Sequence, residues 1–429
     1  MIPDSRKSKI KRDSKEELED LFQQFYNEES KRDEFSTTLE IEKRTWKLRG
    51  SKDWNSGLWF ELLSDVAILV ALFKMSLENP FDTVEDGLRV VAKFLFVWQI
   101  WYGQVMLMSL YDTDYALFKI LQLLQVTIIS VTGITRPFAN TNEQAYTAFV
   151  LTIIISKVIL LGQLCISLHT HGLKQLKYQL GWIISILVEI VLWSISFHFK
   201  TAENGDFNSN IWLWRMGVLI ELVLSTLCLC KNPLLNRHFI NDRFSLLTVA
   251  MFGKMWFGIS VFLQDFTTDA LWIVICHIVI SFMLWRTYYF SSKFYDITKC
   301  FSFNLSWISS IFCIHLSLFI GTSAVYDILI KEQSVREMKI EICCFCIVLL
   351  VLAFVNALGM DYKRRLTMIF GKIVVAFVMI FVVFSVSISS YREYIVILVV
   401  LSALTSVLVL FEWSFQNHSD ILPAKHDSC

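Results

Sequence analysis

Stretches of about 20 predominantly apolar residues recur along this chain, near 57–77, 89–111, 116–136, 146–168, 179–199, 211–230, 244–263, 269–289, 304–326, 340–358, 367–388 and 392–412. At 1.5 Å of rise per residue each one spans the ~30 Å hydrocarbon layer of a bilayer as a helix. Backbone groups left unsatisfied are untenable in lipid, and no ten-residue alternating pattern of a barrel strand appears. The chain therefore reads as an all-α membrane protein of about twelve transmembrane helices, with the lipid bilayer as its first partner. Composition agrees, with 55% hydrophobic residues, 18% charged residues and a mean hydropathy of +0.52.

Charge and cysteine usage exclude several classes. The 39 basic residues balance 39 acidic ones, so nothing points to nucleic acid. Cys343, Cys344 and Cys346, like Cys228 and Cys230, lack the C-x-x-C spacing of a zinc or redox site and read as small packing residues. No Walker motif, c-type haem signature, nucleophile motif or metal-spaced set of ligands is visible, and neither an enzyme nor a bound metal or cofactor is expected.

Residues 1–56 are polar and dense in both signs of charge, which predicts a cytosolic tail without a cleavable signal peptide. Within it, Leu18, Leu21, Phe22, Phe25 and Tyr26 fall at helical spacing and predict a short amphipathic helix. Short loops set the orientation. HGLKQLKYQ, CKNPLLNRHFINDR, RTYYFSSKFYDITK and GMDYKRRLT alternate with the acidic ENPFDTVEDG, ENGDFNSN and QDFTTD, so the basic side is cytosolic and both termini lie there. One loop disagrees. KEQSVREMK, on the predicted outer side, carries Lys331, Arg336 and Lys339.

The chain also resembles itself. Shifted by 184 residues (244 minus 60), Phe60, Leu62 and Leu63 meet Phe244, Leu246 and Leu247, and Trp101, Tyr111 and Asp112 meet Trp285, Tyr295 and Asp296. This gives about ten identities over about 56 positions, the weak internal symmetry typical of transporter repeats. An even number of helices per half makes the repeat parallel. The expected organisation is a tail over 1–56, a first six-helix repeat over 57–230, a cytosolic loop over 231–243, a second repeat over 244–412 and a cytosolic tail over 413–429.

Ionisable groups inside such helices each cost about 2.5–3.5 kcal/mol on insertion scales and therefore need a partner or a wet cavity. Lys157, Glu189, Glu221, Lys254, His277 and His315 stand mid-helix. With Trp98 and Trp101 they are the candidates to line a cavity. Near-balance of sign suggests ion pairs across helix contacts, for instance Lys157 with Glu189, which would fix packing or line a path for a charged solute. The histidines are either hydrogen-bonded packing residues or parts of a titrating relay. Glu61 and Asp65, one turn apart on one helical face, join Asp112 and Asp114 near the cytosolic mouth. Four crowded carboxylates make a candidate proton or cation site, although Asp112 equally suits the cap of the next helix.

These same residues carry a family resemblance. Trp59, Glu61, Leu62, Asp65 and Val66 follow the order of a W-x-E-L-F-F-D-L-V-F run, Trp98 and Trp101 with Tyr111-Asp112-Thr113-Asp114 match W-x-x-W followed by F-D-T-D, and Leu121 to Gln125 matches L-x-L-L-Q. Asp242, Arg243, Phe244, Leu246, Thr248 and Gly253 fit an E-R-F-G-L-F-T-…-G-E stretch. Together they resemble the low-temperature-requirement protein A (LtrA) family of polytopic membrane proteins, over residues from about 46 to about 410. Two departures stand out: Ser64 replaces an aromatic, and Lys254 replaces an acid. The resemblance implies a multi-pass fold and brings no reaction with it. Two functions stay open: a proton- or cation-coupled secondary transporter of a small solute, and a non-transporting protein that binds lipid or a protein partner and affects membrane behaviour in the cold. The tail suits a eukaryotic endomembrane, such as the endoplasmic reticulum, or the plasma membrane.

Overall fold

A computed structural model describes residues 58–77, 84–110, 116–134, 143–171, 173–201, 216–227, 236–262, 268–293, 301–331, 335–359, 362–386, 388 and 390–419. The tail read over 1–56, with its amphipathic segment, lies outside the described residues, as does the final stretch beyond 419. Every long apolar stretch becomes one helix. Among the described residues there are twelve helices and no strand: α1 Leu58–Leu77, α2 Val84–Leu110, α3 Ala116–Ile134, α4 Glu143–His171, α5 Leu173–Thr201, α6 Met216–Leu227, α7 Arg237–Phe262, α8 Thr268–Lys293, α9 Phe301–Lys331, α10 Val335–Gly359, α11 Tyr362–Ser385 and α12 Tyr391–Ser419.

Seven of them, α2, α4, α5, α8, α9, α10 and α12, carry segments long and apolar enough to cross a membrane. The apolar segments of α3, α6 and α11 are shorter. Charge interrupts the other two: α1 contains Glu61, Asp65 and Lys74, and α7 contains Arg243 and Lys254. The surface is what lipid requires. Phe370, Phe377, Phe381 and Phe384 lie on one face of α11 and are 60–72% exposed, an apolar stripe that water would not tolerate. Inside, hydroxyls satisfy themselves on the helix, as where Thr248 Oγ1 donates to the Phe244 carbonyl at 2.9 Å and Ser281 Oγ to that of His277 at 2.6 Å.

Packing follows a regular scheme. In the first half α1 packs on α2 and α3, α2 on α3 and α4, α3 on α4, and α4 on α5. In the second, α7 packs on α8 and α9, α9 on α10, α8 on α10 and α12, α10 on α11, and α11 on α12. α6 joins the first half through α2, where Ser225 Oγ meets the Tyr102 hydroxyl at 3.5 Å, and through α5, because a Cβ on Gly217 would lie 3.3 Å from Glu189 Cγ. The chief contacts between the two sets run from α1 and α2 to α7 and α9.

α7 starts earlier than its apolar stretch does. Asn236 caps it, its Oδ1 accepting from Phe239 N–H at 3.1 Å, while its own N–H donates to the Ser109 carbonyl at the end of α2, also at 3.1 Å. The polar run Asn241-Asp242-Arg243 is therefore helical, and that extension brings Arg243 to α1.

Candidate functional site

Residues of α2 at helical spacing give it two working faces. Leu95, Trp98, Gln99 and Tyr102 line a cavity of about 180 Å³, while Trp101, one step round, turns to α1. α6 closes the cavity with Leu219 and Glu221, and Phe312 of α9 reaches in from the second half. Aromatic contacts fix the walls. The Trp98 and Tyr102 rings stack at 5.1 Å with 6° between planes, and Phe312 meets Trp98 edge-on at 5.0 Å.

Behind the wall lies a wholly buried ionic cluster. Lys157 of α4 places Nζ 2.5 Å from Glu221 Oε2 and 3.0 Å from Glu189 Oε2 of α5. Gln99 Nε2 donates to the same Glu221 oxygen, so Oε2 takes both donors, and the Glu189 and Glu221 carboxyls hydrogen-bond each other. The pair suggested for Lys157 and Glu189 is present, with Glu221 as a third member. Two carboxylates face one ammonium. Full ionisation leaves a surplus negative charge in a region where an uncompensated ion is expensive, so one proton or one added cation balances the cluster.

A second cluster lies where the two sets of helices meet. Asp65 Oδ1 accepts from Trp101 Nε1 at 2.8 Å and lies 2.6 Å from an Arg243 Nη, tying α1 to α2 and α7. Beside it, Trp98 Nε1 donates to His315 Nδ1 at 3.1 Å, which leaves Nε2–H to donate to Thr248 Oγ1 at 2.9 Å. His315 thus bridges α2, α7 and α9 within a chain that ends on a backbone carbonyl.

The remaining deep charges sit elsewhere. Lys254 Nζ donates to Thr322 Oγ1 at 2.8 Å, Ser323 Oγ at 3.3 Å and the Phe319 carbonyl at 3.4 Å, and lies 4.4 Å from the Phe319 ring centre. Among the described residues no carboxylate pairs with it. His277 Nδ1 lies 2.7 Å from the Ile273 carbonyl and so carries a proton there, while Nε2 faces Glu341 Oε1 at 2.6 Å. Two bare acceptors cannot sit that close, so a proton lies between them. The Tyr394 hydroxyl donates to the other Glu341 oxygen, joining α8, α10 and α12.

Of the sequence candidates, then, Trp98 and Glu221 line the cavity, Lys157 and Glu189 stand behind it, and Trp101 and Asp65 belong to the meeting surface with His315. Lys254 and His277 occupy separate sites. Asp112 and Asp114 lie outside the described residues, as does the Glu61 side chain, so of the four-carboxylate mouth Asp65 alone is described. Sequence reasoning did not single out Gln99, Arg243, Glu341 or Tyr394 as site residues. A signal existed for Glu341: it stands 184 residues (341 minus 157) after Lys157.

No curated protein and no solved structure matches the chain. The family described as Bacterial low temperature requirement A protein (LtrA) does match, over residues 58–414, which takes in all the helices that build these clusters. The chain is a membrane protein of the LtrA family.

Proposed function

We propose that this protein is a proton- or cation-coupled secondary carrier of a small solute, built from two parallel six-helix repeats, with both termini cytosolic. One observation carries the reading: a buried cluster of two carboxylates and one ammonium lies directly behind a cavity to which α2 and α6 of one half and α9 of the other contribute, and its Glu221 is among the lining residues. A carrier needs such a place, because a binding group shared between two halves changes its exposure when they rock. The repeat draws support from the packing. Pairs α1–α2, α1–α3, α2–α4, α3–α4 and α4–α5 have counterparts α7–α8, α7–α9, α8–α10, α9–α10 and α10–α11, and the joins of α6 to α2 and α5 parallel those of α12 to α8 and α11. α2 and α8 begin 184 residues apart (268 minus 84), the offset of the sequence match.

In this reading Glu221 and Glu189 exchange the proton, and Lys157 holds them together. Asp65, paired with Arg243 across α1 and α7, is the acid whose neutralisation uncouples movement of the halves from the proton; Glu61, Asp112 and Asp114 are the further acids that the sequence groups with it. The test uses vesicles that contain the protein and an internal pH dye, challenged singly with an amine, an amino acid, a sugar and an organic acid. Wild type is expected to move protons with at least one of them, and folded Asp65→Asn and Glu221→Gln with none. A fully active Asp65→Asn or Glu221→Gln would remove the assignment.

A second reading has its own support. Most deep charges are paired and the cavity lining is nearly all apolar, as in a membrane protein that binds lipid or a partner without moving anything. It predicts proton silence for every solute in that assay.

A further inference from the structure

Between α9 and α10 the outer surface of the bundle holds a groove of about 530 Å³, within the ~300–1,000 Å³ range of ligand sites. The sequence of α9 makes its floor. Ser306, Ser309, Ser310 and Cys313 recur at helical spacing on one face, and small side chains in a row leave a trough that larger ones would fill. Leu350, Val351 and Phe354 of α10 form the other wall. Cys313 and Phe354 are exposed, so the groove opens to the bilayer. The Ser310 hydroxyl donates to the Ser306 carbonyl at 2.7 Å and so spends its proton on its own helix, where lipid need not satisfy it.

Helix ends fix the depth of the groove. Leu305 lines it about 6 Å from the start of α9 (305 minus 301), and Phe354 about 7.5 Å from the end of α10 (359 minus 354). That end of the bundle is basic. The segments RTYYFSSKFYDITK and GMDYKRRLT meet it with six Lys or Arg against two Asp, and Lys363, Arg364 and Arg365 fall in the first turn of α11, directly after α10. An acyl chain suits the groove, and an anionic headgroup suits its basic mouth. A second copy of the chain is the competing occupant, since small residues four apart let helices approach closely. A symmetric pair through this face would bring two identical basic ends together, a repulsion that an anionic lipid relieves.

We infer that the α9–α10 groove seats an anionic glycerophospholipid, with an acyl chain against Ser309, Cys313, Val351 and Phe354 and its phosphate at the start of α11. The site lies on the back of α9, whose other side supplies Phe312 to the cavity and His315 to the contact between the halves. It is separate from the cavity, so the inference stands whether or not the protein moves a solute.

The experiment is native mass spectrometry of the purified full chain, released from micelles that contain equal amounts of dioleoylphosphatidylglycerol and dioleoylphosphatidylcholine. One spectrum counts bound lipid, identifies its headgroup and gives the oligomeric state. Wild type is expected to carry phosphatidylglycerol, favoured about fivefold or more over phosphatidylcholine. Lys363→Gln, Arg364→Gln and Arg365→Gln combined should keep bound lipid and lose the preference. Ser309→Phe and, separately, Cys313→Trp fill the groove from two places and should each lose the lipid at an unchanged unfolding temperature. Equal binding of the two lipids to wild type overturns the inference, as does a preference kept in the triple variant or lipid retained in a folded groove-filling variant. A dimer that either groove-filling variant dissociates would give the groove to a second copy, and overturns it as well.

Discussion

Lys157 is the residue on which the buried cluster depends, because its ammonium is the one cation that faces the buried Glu189 and Glu221 carboxyls. Lys157→Met should destabilise the protein by about 3–5 kcal/mol, the usual cost of stranding a buried charge, and adding Glu189→Leu should recover a large part of it. Denaturation midpoints of the single and double variants check this. A glycine gives a sharper steric case. A Cβ on Gly258 would lie 1.4 Å from the Tyr326 ring, whose hydroxyl is anchored on the Lys254 carbonyl, whereas one on Gly253 meets nothing within 4 Å. Gly258→Ala should therefore lose about 1–3 kcal/mol by overpacking, and Gly253→Ala should be neutral or gain up to about 1 kcal/mol, read as a lowered unfolding temperature for the first and no loss for the second. Lys157, Glu189 and Glu221 were legible in the sequence because a charge amid apolar residues demands a partner. Gln99 and Tyr394 were not, since an amide or a phenol in a membrane helix demands far less. Glu341 was hidden by its place at the edge of a predicted span; α10 begins at Val335, which moves it well inside and buries it.

Helices, unlike their partners, were written plainly in the chain, because a 20-residue apolar run has one stable conformation in lipid. What the runs did not reveal is where polar sequence continues a helix. Asn236 makes that decision for α7, and Asn236→Ala, which removes the cap and keeps the backbone N–H that joins Ser109, should cost about 1 kcal/mol, visible as faster amide exchange at the start of α7. The second half depends on α8, α10 and α12 meeting at Glu341. Tyr394→Phe should lose about 1.5–3 kcal/mol, the range for a hydrogen bond to a charged group, and much less when Glu341 is already Gln. A double-mutant cycle on unfolding free energies measures that coupling. Additive costs would mean that the hydroxyl and the carboxylate do not act as one join.

At the scale of the molecule, the described residues form two sets of helices that share most of their internal packing pairs, meet through α1, α2, α7 and α9, and both contribute to one cavity. Of the cavity's nine lining residues, scattered over three helices, Trp98 and Glu221 were legible as a deep aromatic and a deep charge, and the rest were not. Alternating access to that cavity is the central claim, and it needs no knowledge of the solute. The direct measurement places a cysteine at Leu222, on the cavity wall, in a variant stripped of native cysteines, and labels it in sealed vesicles with a membrane-impermeant maleimide from one side or the other. Alternating access predicts labelling from both sides. Protection from one side under every condition would contradict it.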